Sequence, residues 1–176
     1  MHKVMLVFFS AWVLVFSCAE KHAPATDKLK WMTLQEAQLA MQKEKRPILI
    51  DLYTDWCGWC KEMDKKTYRN EKVIAYLQEK FYIVKLNAET KEALTWRDKT
   101  YNFNREAKTN DLAIFFTYGQ LSYPTTVIIP VSSSEPQPIP GYMEPKELEL
   151  IVRYFGEDKF GKVPFETYQR SFKASW

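Results

Sequence analysis

Residues 49–61 read LIDLYTDWCGWCK, a mostly apolar run followed by two cysteines and a lysine. The apolar run is typical of a central strand covered on both faces, yet it carries Asp51 in its middle. A carboxylate at such a position is costly unless it has a role. Cys57 and Cys60 follow, so the segment predicts a strand, a turn and a helix that begins with two thiols.

The spacing of Cys57 and Cys60 suits reversible disulfide chemistry. Side chains three positions apart in a helix lie on the same face, within the separation that a disulfide bridges. The free N–H groups and the dipole at a helix N-terminus stabilise a thiolate at Cys57, and the thiolate is the form of cysteine that attacks a disulfide. A redox couple is therefore the favoured interpretation of the pair.

Other interpretations of the cysteine pair explain the sequence less well. A structural zinc site needs four ligands, and the only histidines are His2 and His22, so we expect no metal. The shortage of histidine also argues against a cysteine protease. A purely structural disulfide would close a very small loop and stabilise little. TDWC (54–57) is similar to the Thr-x-x-Cys of peroxiredoxins, but Ile50 stands where that family has proline.

The composition is that of one globular domain. The chain has 176 residues, of which 46% are hydrophobic and 27% are charged, values that suit a single folded core. The aromatic share of 15% is high and indicates a core or a groove built from rings. A net charge of only +3 argues against a nucleic-acid-binding protein.

Residues 1–17 have the features of a signal peptide. The apolar stretch 4–16 is shorter than the roughly 20 residues of a membrane-spanning helix. Its end, VFSC, is similar to the lipobox of bacterial lipoproteins, which implies cleavage before Cys18 and lipid attachment there. A conventionally cleaved signal and an uncleaved anchor are the alternatives. All three interpretations place the folded part outside the cytoplasm. Residues 18–30 are polar and are interpreted as a tether between the lipid and the domain.

Helix and strand signals alternate over residues 31–155. The predicted helices begin at Thr33, at Asn70, near Asn110 with an end at Gly119, and at Glu144; the predicted strands cover 47–53, 81–86, 122–130 and 136–142. Residues 94–103 consist of two short arms, in which apolar and polar residues alternate, around a polar centre. This pattern predicts a hairpin within an insertion, residues 87–107. The order of the elements predicts an α/β fold with helices on both faces of a central sheet.

The C-terminal segment 156–176 extends beyond this domain. It carries aromatic residues three or four positions apart, which predicts one apolar helix face formed by Phe165, Tyr168, Phe172 and Trp176. We expect this helix to pack on the surface of the domain. A helix that binds a partner is the alternative.

LIDLYTDWCGWCK resembles the active-site strand and helix of the thioredoxin superfamily, in particular of periplasmic thioredoxin-like proteins with the motif WCGWCK. The resemblance implies a thioredoxin-like fold with a central mixed sheet and an insertion before a cis-proline, to which the C-terminal segment adds an extra helix. It also implies that Asp51 is a buried proton acceptor for Cys60 and that Lys85 lies near this carboxylate. The alternatives are a carboxylate satisfied by backbone donors and an ordinary exposed lysine.

SYPTT (122–126) is similar to the thioredoxin segment whose cis-proline faces the disulfide and binds the substrate backbone. The residues that we expect to contact substrate are Trp56, Gly58, Trp59, Tyr123 and Pro124. Packing of the two tryptophans against the start of the helix is the alternative. Trp59 stands where thioredoxin has a proline that tunes the reduction potential, so the resemblance leaves the direction of electron flow open.

These features predict a monomeric thiol–disulfide oxidoreductase of the periplasm or cell envelope. It would reduce the disulfides of protein substrates through a Cys57–Cys60 dithiol–disulfide cycle. We expect no cofactor beyond this redox-active disulfide, a lipid anchor in the membrane and a membrane thiol as electron donor. The alternative from a different class is a thioredoxin-like binding module with structural or incidental cysteines.

Overall fold

The computed structural model describes residues 28–176 of the chain. The predicted signal peptide, Cys18 and the part of the tether before residue 28 lie outside the described residues, so cleavage and lipid attachment stay predictions. Within the described range, no helix is both long and apolar enough to cross a membrane.

Helices and short strands alternate along the described chain. The strands are β1 (Ile48–Tyr53), β2 (Tyr82–Asn87), β3 (Leu94–Trp96), β4 (Lys99–Tyr101), β5 (Phe103–Asn104), β6 (Thr109–Asn110), β7 (Thr125–Ile129) and β8 (Gln137–Pro140). The helices are α1 (Leu34–Lys43), α2 (Gly58–Lys66), α3 (Glu71–Lys80), α4 (Asp111–Phe116), α5 (Pro145–Gly156) and α6 (Phe165–Ser171).

Four of these strands form the central mixed sheet, in the order β2, β1, β7, β8. β1 runs parallel to β2 and antiparallel to β7, and β8 runs antiparallel to β7. In this register Asp51 of β1 stands beside Lys85 of β2 on one side and beside Thr126 of β7 on the other. The strand before the cysteine motif is therefore central, as its apolar run predicts.

Two apolar layers cover the sheet, because successive side chains of a strand point to opposite faces. Ile48, Ile50 and Leu52 pack on one face with α1 and α4. Leu49 packs on the other face with α2, α3 and α5. Asp51 follows Leu49 by two positions and so lies on the face that α2 covers. The predicted α/β fold with helices on both faces of the sheet is confirmed.

The predicted helix starts are confirmed at Thr33, Asn70 and Asn110, whose side chains accept N–H hydrogen bonds from the first turn. The helix after Asn110 ends at Phe116 rather than at Gly119, so its predicted end is wrong. Gly119 has a φ of 81°, in the left-handed region that favours glycine and does not continue a helix.

The predicted hairpin of the insertion is confirmed, since β3 and β4 pair antiparallel. A second hairpin, formed by β5 and β6, is not predicted by the sequence, because strands of two residues carry no alternating pattern. The hydroxyl of Thr109 and the N–H of Asn110 both donate to the carbonyl of Ala88, each at 2.7 Å. The inserted structure thus closes back on the end of β2 and continues to Asn110, beyond the predicted limit of 107.

The C-terminal segment packs on the domain, but only part of it is helical. α6 ends at Ser171, so the prediction of one helix face through Trp176 is wrong. The N–H groups of Ser175 and Trp176 donate to the buried carboxylate of Glu149 at 2.6 and 3.0 Å. These bonds hold the last residues along α5, and the Trp176 ring packs edge-on against Tyr76 at 5.5 Å.

Candidate active site

Cys57 and Cys60 form a disulfide at the N-terminus of α2. Cys57 is the N-cap of this helix, and its Sγ accepts the N–H of Cys60 at 3.1 Å. A thiolate at Cys57 can keep this hydrogen bond and faces the positive end of the helix dipole, so the helix favours the charged nucleophile. Among residues 28–176, no group of three or more histidine, cysteine, aspartate or glutamate residues could hold a metal ion.

Asp51 is a buried carboxylate on the face of the sheet that α2 covers. It is 1% exposed, and its Oδ2 accepts a hydrogen bond from Nζ of Lys85 at 3.0 Å. Its other oxygen, Oδ1, has no hydrogen-bond partner. The side chain therefore relies on one ammonium from the neighbouring strand rather than on backbone donors.

Burial raises the pKa of Asp51 to about 6, and the ammonium of Lys85 limits that rise. Burial also disfavours the charged form of Lys85, but the carboxylates of Asp51 and Asp64 outweigh it and raise the pKa of Lys85. Lys85 bonds to Asp64 of α2 as well, and its Nζ lies 5.1 and 5.0 Å from the ring centres of Trp31 and Tyr53. Lys85 is thus partly enclosed at the site.

Replacing Asp51 with asparagine is expected to stabilise the protein above pH 6 and to have no such effect below pH 3.8. The folded-state pKa of about 6 lies above the ordinary value of 3.8. Between these values the folded protein retains a proton that the unfolded chain has released, so ionisation progressively destabilises the fold. The full effect is roughly 2 to 3 kcal/mol. Urea unfolding of both proteins across this pH interval measures it.

Asp64→Asn is the matched control, because Asp64 also pairs with Lys85 but its side chain is 41% exposed. This variant should change the free energy of unfolding by less than about 1 kcal/mol at every pH. Equal gains in the free energy of unfolding in the two variants would contradict the assignment of the effect to the burial of Asp51.

Four aromatic side chains flank the cysteine motif at the surface. Trp56 and Trp59 are 67% and 63% exposed. The Trp56 ring lies edge-on to Tyr123 at 5.9 Å, and the Trp59 ring lies 5.4 Å from that of Tyr142. Pro124, which follows a cis peptide bond, lines a pocket of about 250 Å³ with Trp59, Tyr123 and Tyr142. The fold thus brings the predicted substrate-contact residues to one surface.

Gly58 and Glu89 complete this surface. Gly58 begins α2, and a Cβ at this position would meet no heavy atom within 4 Å, so the space beside the motif is open. The indole N–H of Trp56 donates to the Glu89 carboxylate at 2.9 Å. This bond holds an exposed ring in place, so the tryptophan is fixed at the surface without being packed in the core.

Three residues of the site are not predicted by the sequence analysis: Asp64, Glu89 and Tyr142. Asp64 stands four positions after Cys60 in α2, so helical periodicity is a signal that identifies it. Glu89 follows β2 and Tyr142 follows β8, and both reach the motif only because the sheet brings these strand ends together. No local pattern marks either residue.

The structure has a mixed sheet, a disulfide at the start of the helix after the central strand β1, and a cis-proline directly before the antiparallel neighbour β7. These features together define the class of thioredoxin folds. The sequence model of the thioredoxin-like domain family matches residues 34–156 of this chain. The chain therefore belongs to the thioredoxin-like domain family.

Known structures agree with the fold. The oxidoreductase DsbH superimposes with a TM-score of 0.55 at 15% sequence identity, over 80% of this chain and 93% of that protein. A thioredoxin-fold protein from Helicobacter pylori superimposes with a TM-score of 0.53 at 14% identity, over 71% of this chain and 83% of the other. At such identities the similarity shows a shared fold alone.

Curated sequence relatives match a shorter part of the chain. The thiol:disulfide interchange protein DsbD of Vibrio vulnificus (strain CMCP6) is 42% identical over 45 residues, which are 25% of this chain and 8% of that protein. DsbD of Yersinia enterocolitica is 50% identical over 38 residues, 22% of this chain and 6% of the relative. The match therefore spans less than a tenth of the length of each relative.

Proposed function

We propose that this chain is a thiol–disulfide oxidoreductase that reduces the disulfides of protein substrates in the cell envelope. The observation that carries the proposal is the Cys57–Cys60 disulfide at the N-terminus of α2, with the buried Asp51 on the face that this helix covers. Membership of the thioredoxin-like family supports it, as does the similarity to proteins named thiol:disulfide interchange proteins.

In the reductive direction, the Cys57 thiolate attacks one sulfur of a substrate disulfide. That disulfide breaks, a mixed disulfide forms between Cys57 and the substrate, and one substrate thiolate leaves. Cys60 then loses its proton, attacks the Cys57 sulfur and releases the second substrate thiolate. The Cys57–Cys60 disulfide is formed again, and the two released thiolates take up protons. The same steps in reverse oxidise a substrate dithiol.

Asp51 is the proposed acceptor of the Cys60 proton. Its pKa of about 6 leaves it mostly ionised at neutral pH, yet close enough to neutrality to hold a proton for the short time that the step requires. Lys85 bonds to the carboxylate from the neighbouring strand and keeps the charged form available in a buried place.

The surface beside the disulfide is the proposed substrate-binding site. The exposed rings of Trp56 and Trp59 and the half-buried ring of Tyr123 offer apolar contacts to an extended or partly unfolded chain. Gly58 leaves space for that chain to approach the motif, and Pro124 contacts its backbone. These contacts select a segment around the substrate disulfide rather than a small molecule.

We place the domain in the periplasm or at the membrane surface, anchored by a lipid on Cys18 through the tether 18–30. A tether raises the effective concentration of the domain near partners on the same membrane. A membrane thiol is the electron donor that fits this placement, and the domain acts as a monomer.

The reduction potential of the Cys57–Cys60 couple tests the proposal, by titration of residues 19–176 against glutathione buffers. The expected value is near that of thioredoxin, about −270 mV, and marks a reductase. A value near about −120 mV marks an oxidant that runs the same cycle in the opposite direction. Absence of a reversible couple would refute catalysis and leave a binding module, which the exposed Trp56 and Trp59 favour as the second candidate.

A further inference from the structure

Three oxygen atoms without hydrogen-bond partners belong to buried side chains around the proposed proton acceptor. They are Oδ1 of Asp51, Oγ1 of Thr126 and the hydroxyl oxygen of Tyr68. The three residues are 1%, 0% and 4% exposed. Buried polar atoms in folded proteins nearly always have a partner, so a group of three such atoms requires an explanation.

The sheet register brings Asp51 and Thr126 together. They are paired residues of the antiparallel strands β1 and β7. Their side chains therefore leave the sheet on the same face, with Cβ atoms about 4.5 to 5.5 Å apart. Leu49 and Ile128, two positions along each strand, pack on that face in the same apolar cluster as Tyr68. The three oxygens thus share one side of the sheet.

The phenol of Tyr68 responds to both of the other groups. Burial raises its pKa well above the ordinary value, the charge of Asp51 adds to the rise, and the hydroxyl of Thr126 opposes it. The influence of a hydroxyl requires a short distance, so Thr126 lies close to the phenol, whereas the charge of Asp51 acts over a longer range. Thr126 is adjacent to Asp51 in the sheet and is also near Tyr68.

The other charged and titratable groups described near Asp51 do not donate a hydrogen bond to its Oδ1. Lys85 of β2 binds Oδ2 and shares its ammonium with Asp64 of α2. Tyr53, on the same strand as Asp51, packs its ring against that ammonium. Thr54, Tyr68, Tyr76 and Thr126 are the described residues whose buried hydroxyls lack a partner. Of these, Thr126 is the residue paired with Asp51 in the sheet, and Tyr68 belongs to the apolar cluster on the same face.

We propose that Thr126 and Tyr68 are positioning residues for Asp51. When the carboxylate is ionised, the Thr126 hydroxyl donates to Oδ1 and the Tyr68 hydroxyl donates to Oγ1 of Thr126. A change of the threonine rotamer is enough to close the first bond between paired strands. This hydroxyl chain satisfies all three oxygens and stabilises the charged form of Asp51. Only its consequence for catalysis rests on the proposed function.

NMR titration of the Asp51 carboxyl carbon in the oxidised protein tests the hydroxyl chain. Loss of a hydrogen bond to the charged form raises the pKa of an acid. Thr126→Val is expected to raise the pKa of Asp51 by about one unit, a tenfold change in the protonation equilibrium. Thr126→Ser, which keeps the hydroxyl, should restore the original value. Tyr68→Phe should raise the pKa less, because Tyr68 acts through Thr126.

The double variant separates a chain from two independent effects. In a Thr126→Val background, Tyr68→Phe should add no further rise, whereas independent contributions would add. Tyr76→Phe is the matched control, because the Tyr76 hydroxyl is also buried and without a partner but its ring packs against Trp176. This control should leave the Asp51 titration unchanged. An unchanged pKa of Asp51 in Thr126→Val, or additive rises in the double variant, would overturn the hydroxyl chain. If Thr126→Val does not fold, the pKa of Asp51 in Tyr68→Phe decides: a rise supports the chain, and an unchanged value overturns it.

The pH profile of mixed-disulfide resolution then tests the consequence for catalysis. In Thr126→Val the acid limb of this profile should move to higher pH together with the pKa of Asp51. A profile that stays in place while the pKa moves would remove Asp51 from the proposed mechanism and leave the hydroxyl chain standing. The titration is made in the oxidised protein, so failure of the chain and failure of the proposed function are distinguished.

Discussion

Replacement of Cys60 by serine is expected to reduce turnover of a disulfide substrate at least about 1000-fold and to trap a covalent adduct on Cys57. Without the Cys60 thiol, the first exchange proceeds but no neighbouring group attacks the Cys57 sulfur. Non-reducing electrophoresis and intact-mass measurement detect the adduct, and an assay with a disulfide-bonded protein and a thiol donor measures turnover.

Cys57→Ser is the matched control for this experiment. It should lose turnover equally but form no adduct, because a serine hydroxyl does not attack a disulfide. Serine is a good N-cap, so α2 should begin at the same residue in this variant. Formation of an adduct by Cys57→Ser would assign the nucleophile to Cys60 and reverse the proposed roles.

The double variant Cys57→Ser, Cys60→Ser separates catalysis from binding. Complete loss of function in cells that express it supports the redox cycle. Retained function would favour the binding module, with Trp56 and Trp59 as its contact residues. Purified double variant should still bind an unfolded substrate through this surface, which separates loss of chemistry from loss of binding.

Deletion of residues 173–176 is expected to lower the free energy of unfolding by about 3 kcal/mol, because hydrogen bonds to a charged group are lost. Ser175 and Trp176 supply three hydrogen bonds to Glu149, two from N–H groups and one from the Ser175 hydroxyl at 2.6 Å. The Trp176 ring also contacts Arg153, at 5.5 Å. Truncation would remove these bonds and expose the Glu149 carboxylate to water, with Arg153 as its remaining described partner. Thermal unfolding should occur roughly 6 to 12 °C lower.

The pH dependence of the stability loss on truncation shows whether the loss comes from the Glu149 carboxylate. Burial disfavours the charge on Glu149, but the bonds from Ser175, Arg153 and Trp176 outweigh it and hold its pKa below the ordinary value of 4.5. The stabilisation is therefore complete above pH 4.5 and is lost as pH falls through the lower folded-state pKa. The stability difference between the full and truncated chains should narrow over the same interval.

Glu149→Gln and Glu157→Gln form a matched pair for the same question. Both glutamates bond to Arg153, at 2.9 and 3.4 Å, but their side chains are 1% and 38% exposed. Glu149→Gln should be destabilising, whereas Glu157→Gln should change stability by less than about 1 kcal/mol. Unchanged melting after truncation, together with loss of a binding partner, would instead favour a partner-binding role for the C-terminal segment.

Local signals in the sequence predict most of the fold. The apolar run before Asp51 predicts a central strand, and the side chains of Thr33, Asn70 and Asn110 predict helix starts, because a cap satisfies N–H groups only a few residues away. The end of the helix after Asn110 is harder to predict, since it depends on where the chain turns toward the next strand.

Part of the candidate site is also local. Cys57 and Cys60 lie three residues apart at a helix start, so their pairing follows from helix geometry alone. The pairing of Lys85 with Asp51 is different in kind, because the two residues are far apart along the chain and meet only through the register of β1 and β2. Resemblance to a known family supplies this pairing, whereas periodicity does not.

The sequence by itself determined most of the elements, the disulfide motif at the N-terminus of a helix and the presence of a carboxylate in the central strand, because these depend on hydrogen bonds and side-chain directions within a few residues. Only the tertiary structure decided which side chains meet across elements: Asp64 with Lys85, Glu89 with Trp56, and Glu149 with the last residues of the chain. Such contacts depend on how strands and helices pack, and no pattern within a few residues of the sequence indicates that packing.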